Sequence, residues 1–293
     1  MKKAGYVALL GRPNVGKSTL LNSILETHLS ITSPKPQTTR DRIMGIYTEN
    51  DVQIIFQDLP GFLSVKNKLQ QKMTEDIKDG LRDSDYIVFI IESGEKTDDY
   101  ADMLDLLDKR EKVLIAVNKI DVDNSKNDDW EFYAKNKNWD FIQISALQEK
   151  NVKKLLEMVI NNLPEMESFF YDGDYLTNRS ERFIAKEYIR ESALEILHDE
   201  IPHELFVDVI SMKEVKDMLH IEADIIVARD SQKIIVVGRK GDGIKRLGIK
   251  SRKKIEDFFK QKVFLKLNVK VKKNWYNDQN ILSNIKQDFG VWN

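Results

Sequence analysis

A glycine-rich segment between an apolar run and a helical pattern constrains the fold more than any other feature of this chain. Residues 11–18 read Gly-Arg-Pro-Asn-Val-Gly-Lys-Ser and directly follow the apolar run 6–10. This is the GxxxxGK[ST] pattern in the strand-to-helix setting that a phosphate-binding loop requires. The glycines let backbone N–H groups surround a polyphosphate at the positive end of a helix. The sequence therefore predicts an α/β domain with a P-loop and a mostly parallel, doubly wound sheet.

Two side chains of this loop are expected to meet the phosphates and their metal. Lys17 would contact the β- and γ-phosphates, and the Ser18 hydroxyl would bind Mg²⁺. The residues predicted to contact the nucleotide in this segment are Gly11, Arg12, Pro13, Asn14, Val15, Gly16, Lys17, Ser18 and Thr19.

Three further motifs follow apolar runs in chain order and indicate which nucleotide binds. In residues 58–61 (Asp-Leu-Pro-Gly), Asp58 can hold Mg²⁺ through water and Gly61 can offer its N–H to the γ-phosphate. In residues 118–121 (Asn-Lys-Ile-Asp), the Asp121 carboxylate can accept hydrogen bonds from guanine N1 and the exocyclic amino group, a donor pair that adenine lacks. A backbone N–H in Ser145-Ala146-Leu147 could meet guanine O6. These motifs add Asp58, Leu59, Pro60, Gly61, Phe62, Asn118, Lys119, Asp121, Ser145, Ala146 and Leu147 to the predicted nucleotide contacts.

All four motifs fall at the ends of predicted strands, which is where ligands bind in open α/β sheets. The combination resembles the Ras-like GTPases. In those enzymes a glutamine after the DxxG glycine orients the attacking water, but Phe62 stands there and cannot do so. The resemblance to a group of related GTPases implies that Asn14 places K⁺ against the phosphates instead. We name Lys17, Asn14, Thr39 and Gly61 as the candidate catalytic residues.

The loop before the second predicted strand has the position of a switch segment. Residues 36–42 read Pro-Gln-Thr-Thr-Arg-Asp-Arg, and a threonine there can offer its hydroxyl to Mg²⁺ when the γ-phosphate is bound. We favour Thr39, although spacing does not separate it from Thr38. The predicted Mg²⁺ site is thus Ser18, Thr39 and Asp58.

The charge distribution predicts a second domain with a polyanionic partner. The whole chain has a net charge of −2, but residues 231–293 carry +11 and the residues before them −13. Within this basic part, we expect an apolar strand at 233–237 to lead into Gly238-Arg239-Lys240-Gly241, followed by a helix to about Phe259 and a strand at 263–269. That order indicates an α+β KH domain, whose GxxG loop clamps about four nucleotides of single-stranded RNA.

The predicted RNA contacts comprise the loop, its basic residues and its apolar flanks. They are Val237, Gly238, Arg239, Lys240, Gly241, Ile244, Lys245 and Arg246. Lysines 266, 270, 272 and 273 either extend the RNA surface or form a solvated face. We expect a P-loop GTPase domain over 1–167, a linker over 168–177, and a KH domain over 178–293, in which a helix capped by Ser180 or Asn178 runs to about Leu197.

Together these motifs resemble the Era family of bacterial ribosome-assembly GTPases over nearly the whole chain. The matching segments include GRPNVGKST, QTTR, NKID, the LTNRSERFIAKEYIRE helix and GRKG. One departure is Leu59, where the family usually has threonine. The resemblance implies a monomeric GTP-hydrolysing switch that binds the 3′ end of 16S ribosomal RNA in the small ribosomal subunit and assists its maturation. It also implies GTP or GDP, Mg²⁺ and K⁺ as ligands.

Three other functions fit parts of the sequence. A GTPase that acts in transfer-RNA modification is opposed by the KH pattern, and a non-hydrolysing RNA-binding protein is opposed by the intact Lys17, Ser18, Asp58 and Asp121. A GTPase at the membrane periphery is the third, and peripheral association with the inner face of the cell membrane stays open as a secondary behaviour, because a basic surface does not distinguish RNA from lipid phosphates. The chain has no cysteine, no recognisable signal peptide and no apolar run near the ~20 residues that span a membrane, so we expect a cytoplasmic protein.

Overall fold

A computed structural model describes residues 1–33, 39–61, 67–123, 127–198 and 201–278. Contacts between residues divide the chain into two compact units, the first ending at Asn178 and the second beginning at Arg179. The short segments 31–33 and 67–69 group with the second unit. No helix within the described ranges is long and apolar enough to cross a membrane.

The first unit is a mixed, mostly parallel sheet with helices between its strands. Its strands run in the order β2-β3-β1-β4-β5-β6, with β7 beside the start of β1; β2 and β7 are antiparallel to their neighbours and the other pairings are parallel. The elements are β1 (Lys2–Leu10), α1 (Lys17–Leu25), β2 (Ile43–Glu49), β3 (Val52–Asp58), α2 (Lys68–Arg82), β4 (Tyr86–Glu92), α3 (Ala101–Leu107), β5 (Val113–Asn118), α4 (Asp128–Lys137), β6 (Asp140–Gln143), α5 (Val152–Asn162) and β7 (Glu165–Met166). The predicted doubly wound α/β domain is confirmed.

The central strand shows why the apolar runs of this sequence become buried strands. Val7 and Leu9 lie in one hydrophobic cluster, while Ala8 and Leu10 lie in another. Because successive side chains of a strand point to opposite faces, both faces of the sheet are covered. Polar side chains and ligands are then left to the edge where the strands end.

The strand ends bring the four nucleotide motifs to that one edge. Leu9 pairs with Asp58 at the end of β3, and Glu92 at the end of β4 pairs with Asn118 at the end of β5. Ser145 follows β6, which is parallel to β5. The topology therefore collects segments that are far apart in the sequence.

The second unit contains a three-stranded sheet in the order β10-β9-β8, with β9 parallel to β10 and antiparallel to β8. Its elements are α6 (Glu181–Ile196), β8 (Leu205–Val215), β9 (Met218–Val227), α7 (Asp230–Val237), α8 (Asp242–Phe259) and β10 (Lys262–Val271). Ser180 begins α6 by accepting a hydrogen bond from the Phe183 N–H at 3.2 Å, as a helix N-cap does. The predicted α+β domain is confirmed.

One sequence-based prediction in this unit is wrong. Residues 233–237 were expected to form a strand because they are rich in β-branched residues, but they lie in α7. The Gln232 side chain accepts hydrogen bonds from the N–H groups of Ala228 and Arg229, which satisfies donors at the helix start. Gln232 and Val236 are buried four residues apart, which is a helical spacing. Capping and packing therefore override local strand propensity here.

The segment expected to be a linker packs on the first unit. Gln53, fully buried on β3, accepts hydrogen bonds from the N–H groups of Phe170 and Tyr171 and donates one to the Tyr171 carbonyl at 2.8 Å. Thr177 donates its hydroxyl to the Met44 carbonyl at 2.5 Å. Hydrogen bonds to buried groups thus hold this stretch against the sheet.

Candidate nucleotide and RNA sites

The P-loop packs so closely at its glycines that side chains there would collide with neighbouring atoms. Gly16 has φ of +102°, in the left-handed region that favours glycine, and a Cβ there would collide with the Asn118 side chain. The Lys17 ammonium donates to the Gly11 and Arg12 carbonyls at 3.0 and 2.8 Å. Burial lowers the pKa of Lys17 to about 8, and the nearby Asp58 carboxylate opposes that shift. A desolvated lysine held at the loop is well placed to pair with an anion.

One carboxylate oxygen of Asp58 accepts hydrogen bonds from hydroxyl groups of three other segments. Its Oδ2 accepts from Ser18 and Ser30 at 2.6 Å each and from Thr39 at 3.5 Å. The Ser18 and Thr39 hydroxyl oxygens lie 3.0 Å apart. Burial raises the pKa of Asp58, whereas Lys17 and the three hydroxyls lower it.

The other oxygen, Oδ1, is buried and has no hydrogen-bond partner among the described residues. A buried carboxylate oxygen without a hydrogen-bond partner destabilises the fold unless a bound water or ion satisfies it. Carboxylate and hydroxyl oxygens are the ligands that Mg²⁺ prefers. The predicted set of Ser18, Thr39 and Asp58 therefore lies together and has the right donor chemistry for this ion.

The DxxG segment lies directly against the P-loop. A Cβ at Gly61 would come within 2.8 Å of the Pro13 backbone nitrogen, so this position accommodates only glycine in this arrangement. Leu59 is fully buried and belongs to the same hydrophobic cluster as Ile77 and Leu81 of α2. Leu59, the departure noted above, therefore serves as a core residue. Pro60 is also buried, and Phe62 and Thr38 lie outside the described residues.

The buried side-chain amide of Asn118 joins the P-loop to the segments expected to contact guanine. The Asn118 side chain donates to the Val15 carbonyl of the P-loop at 2.7 Å and accepts from the Ala146 N–H at 2.9 Å. One carboxylate oxygen of Asp121 is buried without a hydrogen-bond partner among the described residues. Such an oxygen is available to the paired donors of a guanine ring.

The flanks of this end are more open. Lys119, with φ of +67°, pairs with Glu92 at 2.6 Å. Ser145 is buried, whereas the Leu147 side chain is 77% exposed.

The outer turn of the P-loop contacts the segment between β4 and α3. The Arg12 guanidinium lies 4.1 Å from the ring centroid of Tyr100 and 3.8 Å from a Glu95 carboxylate oxygen. Tyr100 also donates its hydroxyl to Glu95. Asn14 is exposed in the same turn with φ of +67°, and Thr19 is half-buried in the first turn of α1.

Sequence reasoning missed two polar residues of this site, Ser30 and Asn22. Ser30 is fully buried, and both its backbone polar groups bond to the Asn22 side chain. Neither residue belongs to a recognised motif, so no signal in the sequence pointed to them.

The GxxG segment of the second unit forms an exposed turn between α7 and α8. Gly238 and Gly241 have φ of +73° and +83°, and a Cβ on Gly238 would lie 2.6 Å from the Gly243 nitrogen. Arg239 and Lys240 between them are exposed. The turn thus presents a tightly bent backbone and two cations to solvent.

An apolar groove of about 360 Å³ begins beside this turn, between α8 and β10. Of the predicted contacts, Ile244 and Lys245 line it, whereas Val237 and Arg246 do not; Arg246 pairs instead with Asp242 at 3.0 Å. Sequence reasoning missed the half-exposed Ile249 and Phe264, which also line the groove. Ile249 falls in the predicted helix and Phe264 in the predicted strand, so neither gave a separate signal.

The lysines of the last strand are largely paired within the unit. Lys266 contacts Glu222 at 2.8 Å, and Lys270 contacts Asp224 at 2.6 Å. Lys272 similarly pairs with Asp278 at 2.7 Å. Local pairing therefore reduces the positive charge that the composition of this region suggests.

Comparisons with known proteins identify both domains. Residues 6–119 match the family model of a 50S ribosome-binding GTPase, and residues 200–276 match that of a KH domain. A protein named GTPase Era from Clostridium botulinum (strain Alaska E43 / Type E3) is 40% identical over 292 residues, which are 97% of this chain and 98% of that protein.

Two solved structures resemble the chain over its length. A crystal structure of Era in complex with MgGDPNP and nucleotides 1506–1542 of 16S ribosomal RNA is 33% identical with a TM-score of 0.90, covering 97% of this chain and 98% of that one. A crystal structure of an Aquifex aeolicus Era variant bound to GDP·AlF4⁻ is 34% identical with a TM-score of 0.88, covering 96% of this chain and 98% of that one.

Proposed function

The chain belongs to the Era family of GTPases and hydrolyses GTP, and from this premise we propose that it is a GTP-controlled binder of the 3′ end of 16S ribosomal RNA. In this role it assists assembly and maturation of the small ribosomal subunit. The single observation that carries the proposal is the presence, in one chain, of a P-loop site with unpaired buried carboxylate oxygens and a GxxG turn beside an apolar groove.

The nucleotide would lie across the edge where the four motifs meet. Lys17 would exchange its carbonyl partners for phosphate oxygens, and Gly61 would offer its N–H to the γ-phosphate. The free oxygen of Asp121 would accept from guanine, a pairing that adenine cannot satisfy. Ser145, Ala146 and Leu147 would border guanine O6, the Ala146 N–H being held already by Asn118.

Mg²⁺ fits the oxygen cluster around Asp58. Ser18 and Thr39 would supply hydroxyl ligands and Asp58 would hold the ion through water, and the ion would neutralise the charge that develops on the phosphates. Thr39, whose hydroxyl lies 3.0 Å from that of Ser18, is the threonine that we assign to this role.

The chain has no glutamine at the position that orients water in Ras-like enzymes. We propose that Asn14, on the exposed turn of the P-loop, holds K⁺ beside the phosphates in place of an arginine finger. Slow hydrolysis that depends on K⁺ is the expected consequence.

RNA binding would combine the GxxG turn and the groove. Gly238 and Gly241 let the sugar–phosphate chain approach, Arg239 and Lys240 supply positive charge, and the groove that Ile244 lines takes the bases. The RNA that best fits this family is the 3′ end that the solved Era complex contains.

We further propose a cytoplasmic monomer. Association with the membrane periphery would need a cationic surface, and the pairing of Lys266, Lys270 and Lys272 with acidic residues reduces the charge available for it.

Crosslinking the protein to RNA in cells and sequencing the attached fragments tests the proposal. Enrichment of the 16S 3′ end is expected, and its loss in a variant with Arg239→Asp and Lys240→Asp would tie the contact to the GxxG turn. Enrichment of transfer RNA, or of no RNA, would contradict the assignment.

A further inference from the structure

Ser30 connects the metal-binding carboxylate to the helix that follows the P-loop. Its hydroxyl donates to Asp58 Oδ2 at 2.6 Å, and the residue has no exposed surface. Short, buried hydrogen bonds to a charged acceptor are among the stronger hydrogen bonds in proteins. Ser30 is therefore a candidate for fixing the orientation of the carboxyl group.

The backbone of Ser30 is itself held at both of its polar groups. The Asn22 side chain donates to the Ser30 carbonyl at 2.7 Å and accepts from the Ser30 N–H at 2.9 Å. Asn22 lies one helical turn beyond Ser18 on α1, so one rigid helix carries both the Ser18 ligand and this clamp. The arrangement fixes where the Ser30 hydroxyl can point.

The three hydroxyls on Asp58 differ in what they would do when a metal is bound. Ser18 and Thr39 are assigned to the ion, so each has a second role that competes with its hydrogen bond to Oδ2. Ser30 is not assigned to the metal and can keep its bond. Because the Ser18 and Thr39 hydroxyls both lie against Oδ2, Ser30 holds the same oxygen that faces the proposed metal ligands.

We propose that Ser30, clamped by Asn22, is a positioning residue that orients the Asp58 carboxylate for Mg²⁺. The inference rests on the magnesium site proposed above. Removing a group that hydrogen-bonds to a metal ligand typically lowers metal affinity by about 10- to 100-fold. Loss of the Ser30 hydroxyl should therefore weaken Mg²⁺ binding without removing a nucleotide contact.

The test is the release of a fluorescent GDP (mant-GDP) from the full chain, measured over a range of Mg²⁺ concentrations and in EDTA. Ser30→Ala should need about tenfold more Mg²⁺ to slow release to half its EDTA rate. Its release rate in EDTA should stay within about twofold of wild type, because only metal binding depends on the orientation of Asp58. The Mg²⁺ concentration that halves the EDTA release rate is here called the Mg²⁺ midpoint. Asn22→Ala should raise this midpoint by a smaller factor than Ser30→Ala, because it removes the support of the Ser30 backbone but leaves the Ser30 hydroxyl.

Ser192→Ala is the matched control, since Ser192 is equally buried and donates its hydroxyl at 2.8 Å to the Tyr188 carbonyl, far from Asp58 in the sequence. It should leave the Mg²⁺ midpoint unchanged. An unchanged midpoint in Ser30→Ala, or an equal acceleration with and without Mg²⁺, would overturn the positioning role. If the rate of mant-GDP release from the wild-type protein does not depend on Mg²⁺, the magnesium site itself is rejected. The two failures are therefore distinguishable.

Discussion

The two sites of this molecule achieve specificity in opposite ways. Around the P-loop, polar groups are buried and already oriented: three hydroxyls fix one oxygen of Asp58, and Asn118 joins the Val15 carbonyl to the Ala146 N–H. At the GxxG turn, the cations are exposed and the shape comes from two glycines with positive φ. The first site should therefore reject wrong ligands strongly, while the second should bind by charge and shape with high sensitivity to salt.

The largest effect is expected from Lys17→Ala, which removes a buried cation. Nucleotide affinity or hydrolysis should fall on the order of a thousandfold, as when one partner of a buried charge pair is lost. Isothermal titration with GDP and phosphate release from GTP measure the two. Lys137→Ala, which breaks an exposed pair with Asp108, is the control and should change neither. A loss of affinity of only a few-fold in Lys17→Ala would mean that Lys17 does not pair with the phosphates in a buried site.

Asp121→Asn tests whether discrimination at the buried site comes from one carboxylate oxygen. GTP affinity should fall by roughly a hundredfold because one of the two oxygens that accept from guanine becomes an NH2 donor, while the affinity for xanthine nucleotides should rise. Competition with a fluorescent nucleotide measures both. If the native protein binds ATP as well as GTP, the guanine assignment is wrong.

Arg239→Asp combined with Lys240→Asp tests the exposed site. RNA affinity should fall by about tenfold or more, and the dependence of affinity on salt should become less steep, because fewer counterions are released. Since both side chains are exposed, the melting temperature should not change.

The control places the same charges elsewhere on the second unit. Lys213→Asp with Lys216→Asp alters exposed lysines on the β8–β9 hairpin and should reduce affinity much less. Equal losses in both double variants would mean that total charge, and not the GxxG turn, determines binding.

Replacing K⁺ with Na⁺ tests the exposed part of the first site and should have the smallest effect of the four. Hydrolysis should slow in Na⁺, and Asn14→Ala should remove the difference between the two ions. Phosphate release under both salts is the measurement. Equal rates in the wild-type protein would end the potassium proposal and leave the GTPase assignment intact.

The sequence predicted the fold well where local pattern and global packing agree. Apolar runs that end in motif residues became parallel strands, and the Ser180 cap began α6 as expected. Prediction failed at 233–237, where a β-branched run forms a helix that Gln232 caps by accepting from the N–H groups of Ala228 and Arg229 just before it. Strand propensity alone does not show that Gln232 caps a helix or that Gln232 and Val236 are buried at a helical spacing.

Site prediction failed where contacts join residues without a motif. Ser30 and Asn22 resemble ordinary polar residues in the sequence, and only the folded chain places Ser30 against Asp58. In the second unit, Ile249 and Phe264 look like ordinary apolar residues of a helix and a strand, and only the packing of α8 against β10 makes them line one groove. Motifs identify the residues that ligands touch, but the groups that orient those residues emerge only from tertiary structure.

Nucleotide at the buried site should control RNA binding at the exposed one. Fluorescence anisotropy of a labelled 16S 3′-end RNA, titrated with the full chain loaded with GDP or a non-hydrolysable GTP analogue, tests it directly. The GTP-like form should bind the RNA more tightly, and the RNA should then favour GTP over GDP by the same factor. Indistinguishable affinities in the two nucleotide states would contradict the account and leave the two units merely tethered.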